Sequence, residues 1–432
     1  MPELNVYNGT SRRCSPIKGQ VSVPGDKSIS HRALILGAVA AGETTIKGLL
    51  EGEDVLRCAD ALEIMGIDIK RPKSVHEGWK IYGRGIGGLF EPKSVLDMGN
   101  SGTAARLLIG LISGHPFTAF FTGDDSLKSR PMSRVMEPLE MMGADFQSAF
   151  EGKMPLSVTG TDQLVPIQFT LPIASAQIKS AILLAGLNTR GMTQVIEPKQ
   201  TRDHLERMLQ YFGADITCEK NTEGIQCINL IGQTELIGQD VVIPSDFSSA
   251  AFLIVAAIIV PGSQIKIIGV GINPLRTGLL KTLLEMGAKI EIENERLESG
   301  ELIADISVES SAIKGVNVPL ERVPSMIDEF PILSIAASCA DGVTQMIGVG
   351  ELRLKESDRL KAVAQGLTSC GVTVEEDHDS LVIHGCGSKK GYIPGGVTVS
   401  VNLDHRIAMS FLVLGMVSKY AITIDNVSVI DT

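Results

Sequence analysis

Aromatic side chains are scarce in this 432-residue chain: Phe, Tyr and Trp make up 4%, with one Trp. Platforms that stack unpaired nucleobases need such rings, so single-stranded nucleic acid is a poor match. Basic charge is not in excess either. A formal net charge of −11 disfavours a polyphosphate-backbone or anionic-membrane surface. The seven cysteines (Cys14, Cys58, Cys218, Cys227, Cys339, Cys370, Cys386) are odd in number, scattered and without a C-x-x-C pair. They argue against a disulfide framework or zinc site and fit reduced thiols in a cytoplasm. The longest apolar stretch, Ala250 to Val260, is too short to span a bilayer and reads as a buried helix. The opening MPELNVYNGTSRRC lacks the apolar core of a signal peptide. No G-x-x-x-x-G-K-S/T, H-E-x-x-H or G-x-S-x-G occurs, and the histidines show no ligand spacing. Gly83 to Gly88 fits G-x-G-x-x-G, but Pro92 follows without a helical pattern. Neither a metal nor a nucleotide cofactor is expected.

What the chain has is repetition. Six times, every 70 to 83 residues, a polar or charged cluster opens an Ala-rich apolar run, near Ser30, Ser101, Ser175, Ser245, Asp328 and Asp404. A run apolar on all sides reads as a helix packed all round. In five of the six units an amphipathic helix follows and stops at a glycine, the usual residue beyond a helix C-terminus. Alternating runs such as ADITCE, AKIEIE and VTVEE then read as strands. The repeat is therefore strand, helix, strand, helix and two strands, a βαβαββ unit, and the sixth unit lacks its second helix.

Three units in each of two lobes is the expected α/β architecture. The proline-containing segments Val21–Ser28 and Val241–Ser248 are the expected crossings. Lobe one combines residues 1–26 with 244–432, lobe two spans 27–243, and the site is expected in the cleft between them. Helix N-termini carry unpaired N–H groups and partial positive charge, so six such entries suit a multiply anionic small molecule.

The entries carry the charge that such a ligand needs. VPGDKSISHR supplies Lys27, Ser28 and Arg32, while GNSGTAARL brings Gly99, Asn100, Gly102 and Thr103 before Arg106. Glycines there let backbone N–H groups approach an anion closely. KSRPMSR is expected to set Lys128, Arg130 and Arg134 at a helix start, where like charge opposes the dipole and calls for a bound anion. ASAQIKS offers Ser175, Gln177 and Lys179, and TRDH offers Arg202. ELRLKESDRL gathers Arg353, Lys355 and Arg359 around Glu356 and Asp358. Pairing between neighbouring turns explains much of that cluster but not three basic groups in seven residues. SMIDEFP supplies Asp328 and Glu329, for which N-capping is the simplest role, and DHR supplies Asp404, His405 and Arg406.

PGDKSISHRAL, GNSGTAARL, SLKSRPM, ASAQIKSAILLAGLN, PSMIDEFPILS, LRLKESDRL and DHRIAMS together resemble the 5-enolpyruvylshikimate 3-phosphate (EPSP) synthase family, in motif order from about residue 15 to 430. The S-A-Q form and TRDH resemble its second class. The resemblance implies an inside-out α/β barrel of two lobes with six βαβαββ units. It also implies transfer of the enolpyruvyl group of phosphoenolpyruvate to the 5-hydroxyl of shikimate 3-phosphate, releasing phosphate, on the route to chorismate and aromatic amino acids. No cofactor, nucleic-acid partner or membrane is implied, and a monomer is expected.

Carried over by position, Lys27, Ser28, Arg32, Ser175, Ala176, Gln177, Arg202, Asp328 and Lys355 match contacts to shikimate 3-phosphate, Ala176 through backbone only. Lys27, Gly102, Arg130, Gln177, Arg359 and Arg406 match contacts to phosphoenolpyruvate. Asp328 is the implied base and Glu356 the implied acid, with Lys27 able to share either proton step. The first-class Lys near the C-terminus has its counterpart at about Thr432, and the sequence stops short of the usual Ser-Phe-Pro tail, either because it is trimmed or because the protein does without one. Gly102 stands where glyphosate-tolerant second-class members carry Ala, so glyphosate sensitivity is expected. Three rivals fit less well. The enolpyruvyl transferase acting on UDP-N-acetylglucosamine carries a loop Cys that Ser126–Met132 lacks. RNA 3′-phosphate cyclase does not suit an acidic, aromatic-poor chain. A non-catalytic anion binder has no need of two acids among its cations.

Overall fold

The computed structural model describes residues 7–74, 77–387 and 392–431, so the Thr432 position lies outside the described residues. The chain divides into two compact units. One comprises the N-terminal segment to Val23, Ser245–Arg296 and the chain from Leu302 onward; the other comprises Pro24–Pro244 and Leu297–Glu301. No sequence signal marks Leu297–Glu301 as belonging with the second.

The unit built on Pro24–Pro244 holds three repeats. Their helices are α1 (Lys27–Val39) and α2 (Glu53–Ile64); α3 (Gly102–Ser113), the short α4 (Asp125–Ser129) and α5 (Ser133–Met142); and α6 (Ala176–Gly186) and α7 (His204–Tyr211). The other unit holds α8 (Phe247–Ile259) and α9 (Gly278–Glu285), α10 (Phe330–Cys339) and α11 (Arg359–Ser369), and α12 (His405–Gly415). Among the described residues no second α-helix follows α12, only a 3-10 turn at Ser428–Asp431. No helix among them is long and apolar enough to cross a membrane.

Five four-stranded sheets and one three-stranded sheet accompany the helices. Each four-stranded sheet contains one parallel pair and is otherwise antiparallel. For example, Gln168–Thr170 runs parallel to Met192–Glu197, the two being connected through α6. Besides Gly9–Ser11, which pairs with Ile422–Ile424, two strands pair out of simple repeat order. Lys18–Val21, just before α1, pairs with Gln264–Gly271. Asp240–Val242, just before α8, pairs with Ala41–Lys47. Each therefore completes the sheet of the unit that the chain is about to leave. The proline segments after both strands carry the chain onward.

Each unit has its own core, in which the first helices of its repeats pack with the second helices and the sheets. From Ile29 to Val39 every residue of α1 is buried, as are nearly all of α8 and α10. Such helices must approach closely, which explains their small residues. A Cβ on Gly110 of α3 would lie 2.6 Å from the Cα of Ala181 in α6, so only glycine allows this crossing. Side-chain caps hold most first-helix entries: Asp26, Ser101, Ser175, Asp246 and Asp404 each accept from a backbone N–H in the first turn. Glu329 occupies the capping position of α10 yet makes no such bond. Its carboxylate, like that of Asp328, is engaged elsewhere.

Candidate active site

In the Pro24–Pro244 unit the expected anion contacts gather at the entrances of α1, α3 and α6. Lys27, first residue of α1, donates to the Asp54 carboxylate at 2.7 Å. Arg32, one turn on, donates to the Ser28 carbonyl at 2.9 Å and to Ser180 Oγ of α6 at 2.8 Å. Burial pulls the Arg32 guanidinium down to about 10; Glu206 opposes the shift and the like charge of Arg202 adds to it. Its Nε is buried without a partner among the described residues. Between Lys27 and Arg32, His31 is wholly buried and pushed down to about 3 by that burial and by both cations, so it is a neutral ring.

Gln177 ties α6 to α3. Its Oε1 accepts from Arg106 Nη1 at 3.1 Å, and its Nε2 donates to Thr103 Oγ1 at 3.0 Å. Arg130 donates to Asn100 Oδ1 at 2.6 Å and Ser126 Oγ at 2.9 Å, leaving a buried Nε without a partner among the described residues. Gly102 lies between the two arginines: an added Cβ would sit 2.8 Å from Arg106 Nη1 and 3.2 Å from Arg130 Nη1. Ser175 caps α6 and Ala176 opens it, presenting backbone in the first turn.

The TRDH segment is pinned on both sides of Arg202. Thr201 Oγ1 donates to Glu197 at 2.5 Å, and His204 Nδ1 lies 2.7 Å from Glu301. Glu197 and Glu206 share one fully buried cation, Lys179, at 3.0 and 2.6 Å. Burial opposes the charge on Lys179, but the two carboxylates hold its pKa above the ordinary lysine value. With two carboxylates on one cation, burial wins at Glu197, whose carboxyl is raised.

In the other unit, Arg359 organises the acidic residues. It is 1% exposed, with Nε 2.8 Å from Asp404, Nη2 2.5 Å from Glu356 and Nη1 3.3 Å from Asp328. Burial opposes its charge, yet Glu356, Asp404 and Asp328 together drive its pKa above the ordinary arginine value. Arg406 Nη1 donates to the Asp328 carbonyl at 3.1 Å, and its Nη2 stands 4.0 Å from the Asp328 carboxylate. Lys355 follows the 3-10 turn Gly350–Leu354 and is half-buried. Thus Asp328, Glu356, Arg359 and Arg406 come together through side-chain contacts, with capping of α10 no part of Asp328's role.

Two local expectations need correction. Arg130 does not stand at a helix start: Asp124 caps α4, which contains Lys128, and Arg130 caps its C-terminus, where cations are favoured. Only Arg134 lies in the first turn of α5. Arg353 is absorbed by structural pairing, 2.9 Å from both Asp358 and Glu376. Sequence reasoning also missed residues. Asp54 lies in the first turn of α2, a place where carboxylates are common, and nothing local marks it as the partner of Lys27. Arg276 lay in NPLRTG, a segment with no charge cluster to single it out.

Comparison with known proteins agrees with these motifs. The family model for EPSP synthase (3-phosphoshikimate 1-carboxyvinyltransferase) matches residues 12–432. A 3-phosphoshikimate 1-carboxyvinyltransferase of Paramagnetospirillum magneticum is 57% identical over 424 residues, spanning 98% of this chain and 94% of that protein. That of Rhodospirillum rubrum is 55% identical over 425 residues, 98% of this chain and 93% of its own length. Among solved structures, EPSP synthase from Acinetobacter baumannii superposes with a TM-score of 0.86 at 45% identity, covering 98% of this chain and 95% of that one. The enolpyruvyl transferase NikO from Streptomyces tendae, at 17% identity and a TM-score of 0.76 over 98% of this chain and 93% of its own, shares the fold. Matched along nearly its whole length by sequence and by structure, the chain belongs to the EPSP synthase family.

Proposed function

We propose that this chain transfers the enolpyruvyl group of phosphoenolpyruvate to the 5-hydroxyl of shikimate 3-phosphate, releasing inorganic phosphate, as a cytoplasmic monomer on the route to chorismate. One observation carries most weight: the carboxylates of Asp328 and Glu356 meet on one buried guanidinium, Arg359. Binding two anions calls for cations alone, whereas moving protons between them calls for acids at fixed positions.

In this assignment Lys27, Ser28, Arg32, Ser175, Ala176, Gln177 and Arg202 hold the acceptor, with Arg32 and Arg202 on its phosphate. A dianion beside two guanidiniums relieves their mutual repulsion and gives the buried Nε of Arg32 a partner. Asp328 and Lys355 hold the ring hydroxyls. Gly102, Arg130, Gln177, Arg359 and Arg406 hold phosphoenolpyruvate, the glycine by letting the ligand approach two arginines closely. Fixing two mutually repelling anions lowers the barrier chiefly by orientation and charge compensation.

The chemistry is addition then elimination. Asp328 takes the proton of the 5-hydroxyl as its oxygen bonds to C2, while C3 of the enol gains a proton. From the resulting tetrahedral adduct a C3 proton departs, the C–O bond to phosphate breaks, and the double bond re-forms. Guanidinium groups of Arg276, Arg359 and Arg406 within 4.0 Å favour the ionised form of Asp328 that a base requires. Arg359 likewise favours ionised Glu356 in the free protein. Phosphoenolpyruvate brings negative charge to Arg359, which raises the proton affinity of Glu356 and readies it to protonate C3. Lys27, released from Asp54 by the same incoming charge, steadies the developing anion.

Phosphate release from phosphoenolpyruvate tests the assignment. Release should require shikimate 3-phosphate and fail with UDP-N-acetylglucosamine. Asp328→Ala and Glu356→Ala should each lose about 10²-fold or more in kcat. Turnover of the nucleotide sugar would favour the rival transferase, and full activity in both variants would discard the acid–base roles.

A further inference from the structure

We infer that Arg276 is a positioning residue, clamping the Asp328 carboxylate in its working place. The inference rests on the assignment of Asp328 as base. Arg276 is 4% exposed and lies in the turn before α9. That turn is fixed by Asn273, which accepts through its side chain from Leu275 N and through its carbonyl from Arg276 N and Thr277 Oγ1. The guanidinium therefore enters the core on a held backbone.

Its two ends face different elements. Nη2 donates to Ser248 Oγ at 2.7 Å and stands 3.3 Å from Asp246, both at the entrance of α8. Nη1 stands 3.7 Å from Asp328 Oδ2 and 3.7 Å from Glu329 Oε1, at the entrance of α10. Ser248 Oγ in turn donates to Glu329 Oε1. One planar group thus joins two first helices and offsets the repulsion between adjacent carboxylates at 328 and 329. A planar, always-charged fork suits such a two-ended task; a lysine ammonium, one point charge, reaches one end at a time. Arg359 and Arg406 serve the same aspartate from other elements, and both belong to the proposed substrate set; Arg276 lies outside that set, and both its Nη groups face protein acceptors.

Asp328 therefore titrates in a defined field. Facing it are Arg276, Arg359 from α11 and Arg406 from α12, with Glu329 beside it. Beyond these cations lie Asp246 on Arg276, and Glu356 and Asp404 on Arg359. Removing the Arg276 charge raises the proton affinity of Asp328, so the acid limb of the kcat–pH profile moves to higher pH.

Arg276→Met, Arg276→Lys and Asp328→Asn should be compared with the parent protein after circular dichroism shows native folding. For Arg276→Met, kcat should fall ~10–100-fold, the loss usual for a group that orients another. KM for both substrates should stay within about threefold, and the acid limb should shift upward by about one pH unit. Arg276→Lys should lose kcat while keeping the acid limb near its parental place, and it carries the test alone if the Met variant does not fold. Parental kcat and pH profile in Arg276→Met, or in Arg276→Lys parental kcat, would overturn the inference, as would a large KM rise at unchanged kcat. Asp328→Asn separates the two levels: high activity there removes the base assignment itself, whereas an inactive Asp328→Asn beside a normal Arg276→Met removes only the clamp.

Discussion

Replacing Lys179 by Met should destabilise the Pro24–Pro244 unit by an amount that depends on pH. Lys179 is 0% exposed, and its two carboxylate partners are 1% and 4% exposed. Met fills similar volume, so the loss is mainly of charge. Breaking a buried ion pair from one side costs about 3–5 kcal/mol. An independent limit gives a similar figure. The protein can relieve the stranded charge by protonating one more carboxyl group. From an ordinary glutamate value of 4.5, that costs about 4 kcal/mol at pH 7.5 and about 1.4 kcal/mol at pH 5.5. The loss of stability should therefore be about 4 kcal/mol at pH 7.5 and smaller by ~2.5 kcal/mol at pH 5.5. The sign follows from linkage: without Lys179 the folded-state carboxyl pKa is raised above its unfolded value, so stability is greatest below the unfolded pKa and is lost as pH rises. Trp79 is the only tryptophan in the sequence and lies 3% exposed in this unit. Urea unfolding followed by its fluorescence reports the change directly. Adding Glu206→Gln should recover much of the loss at pH 7.5. A loss below about 1 kcal/mol, or an equal loss at both pH values, would refute the reasoning.

Gly102→Ala should raise the glyphosate concentration needed for half inhibition, because the new Cβ would displace Arg106 and Arg130 from their present places. Equal inhibition of both forms counts against it. His31 should stay neutral wherever the protein is folded, its value lying at about 3. Its unfolded-state value is the ordinary 6.5, so the stability it contributes is present above pH 6.5 and is lost as pH falls toward 3. Between pH 6.5 and 4.5 the parent should lose about 2 kcal/mol more than His31→Met, read by the Trp79 transition. A His31 C2–H resonance that titrates near pH 6.5 in the folded protein contradicts this.

How far the chain could be read depended on whether a feature was local. Helix entrances were legible because capping is local: Ser101, Ser175 and Asp404 sit at the openings where they act as caps. At two others the cap is a neighbouring Asp, with Ser30 inside α1 rather than at its start. Arg353 and Arg359, six residues apart in one cluster, were indistinguishable by spacing. Folding sends Arg353 to the exposed Glu376 strand and buries Arg359 against Asp404, forty-five residues away. Asp54 and Arg276 left no mark because their partners, Lys27 and Asp328, lie 27 and 52 residues off.

By itself the sequence determined the repeat, the apolar helices and the set of ionisable groups, since periodicity and composition act over a few turns of chain. Tertiary structure alone decided which carboxylate faces which guanidinium, and with that which charged groups are buried together and which stay exposed. The physical reason is the steep dependence of Coulomb energy and desolvation on distance and burial. A side chain's charge is written in its residue type; its effective chemistry is set by what packs within about 4 Å of it.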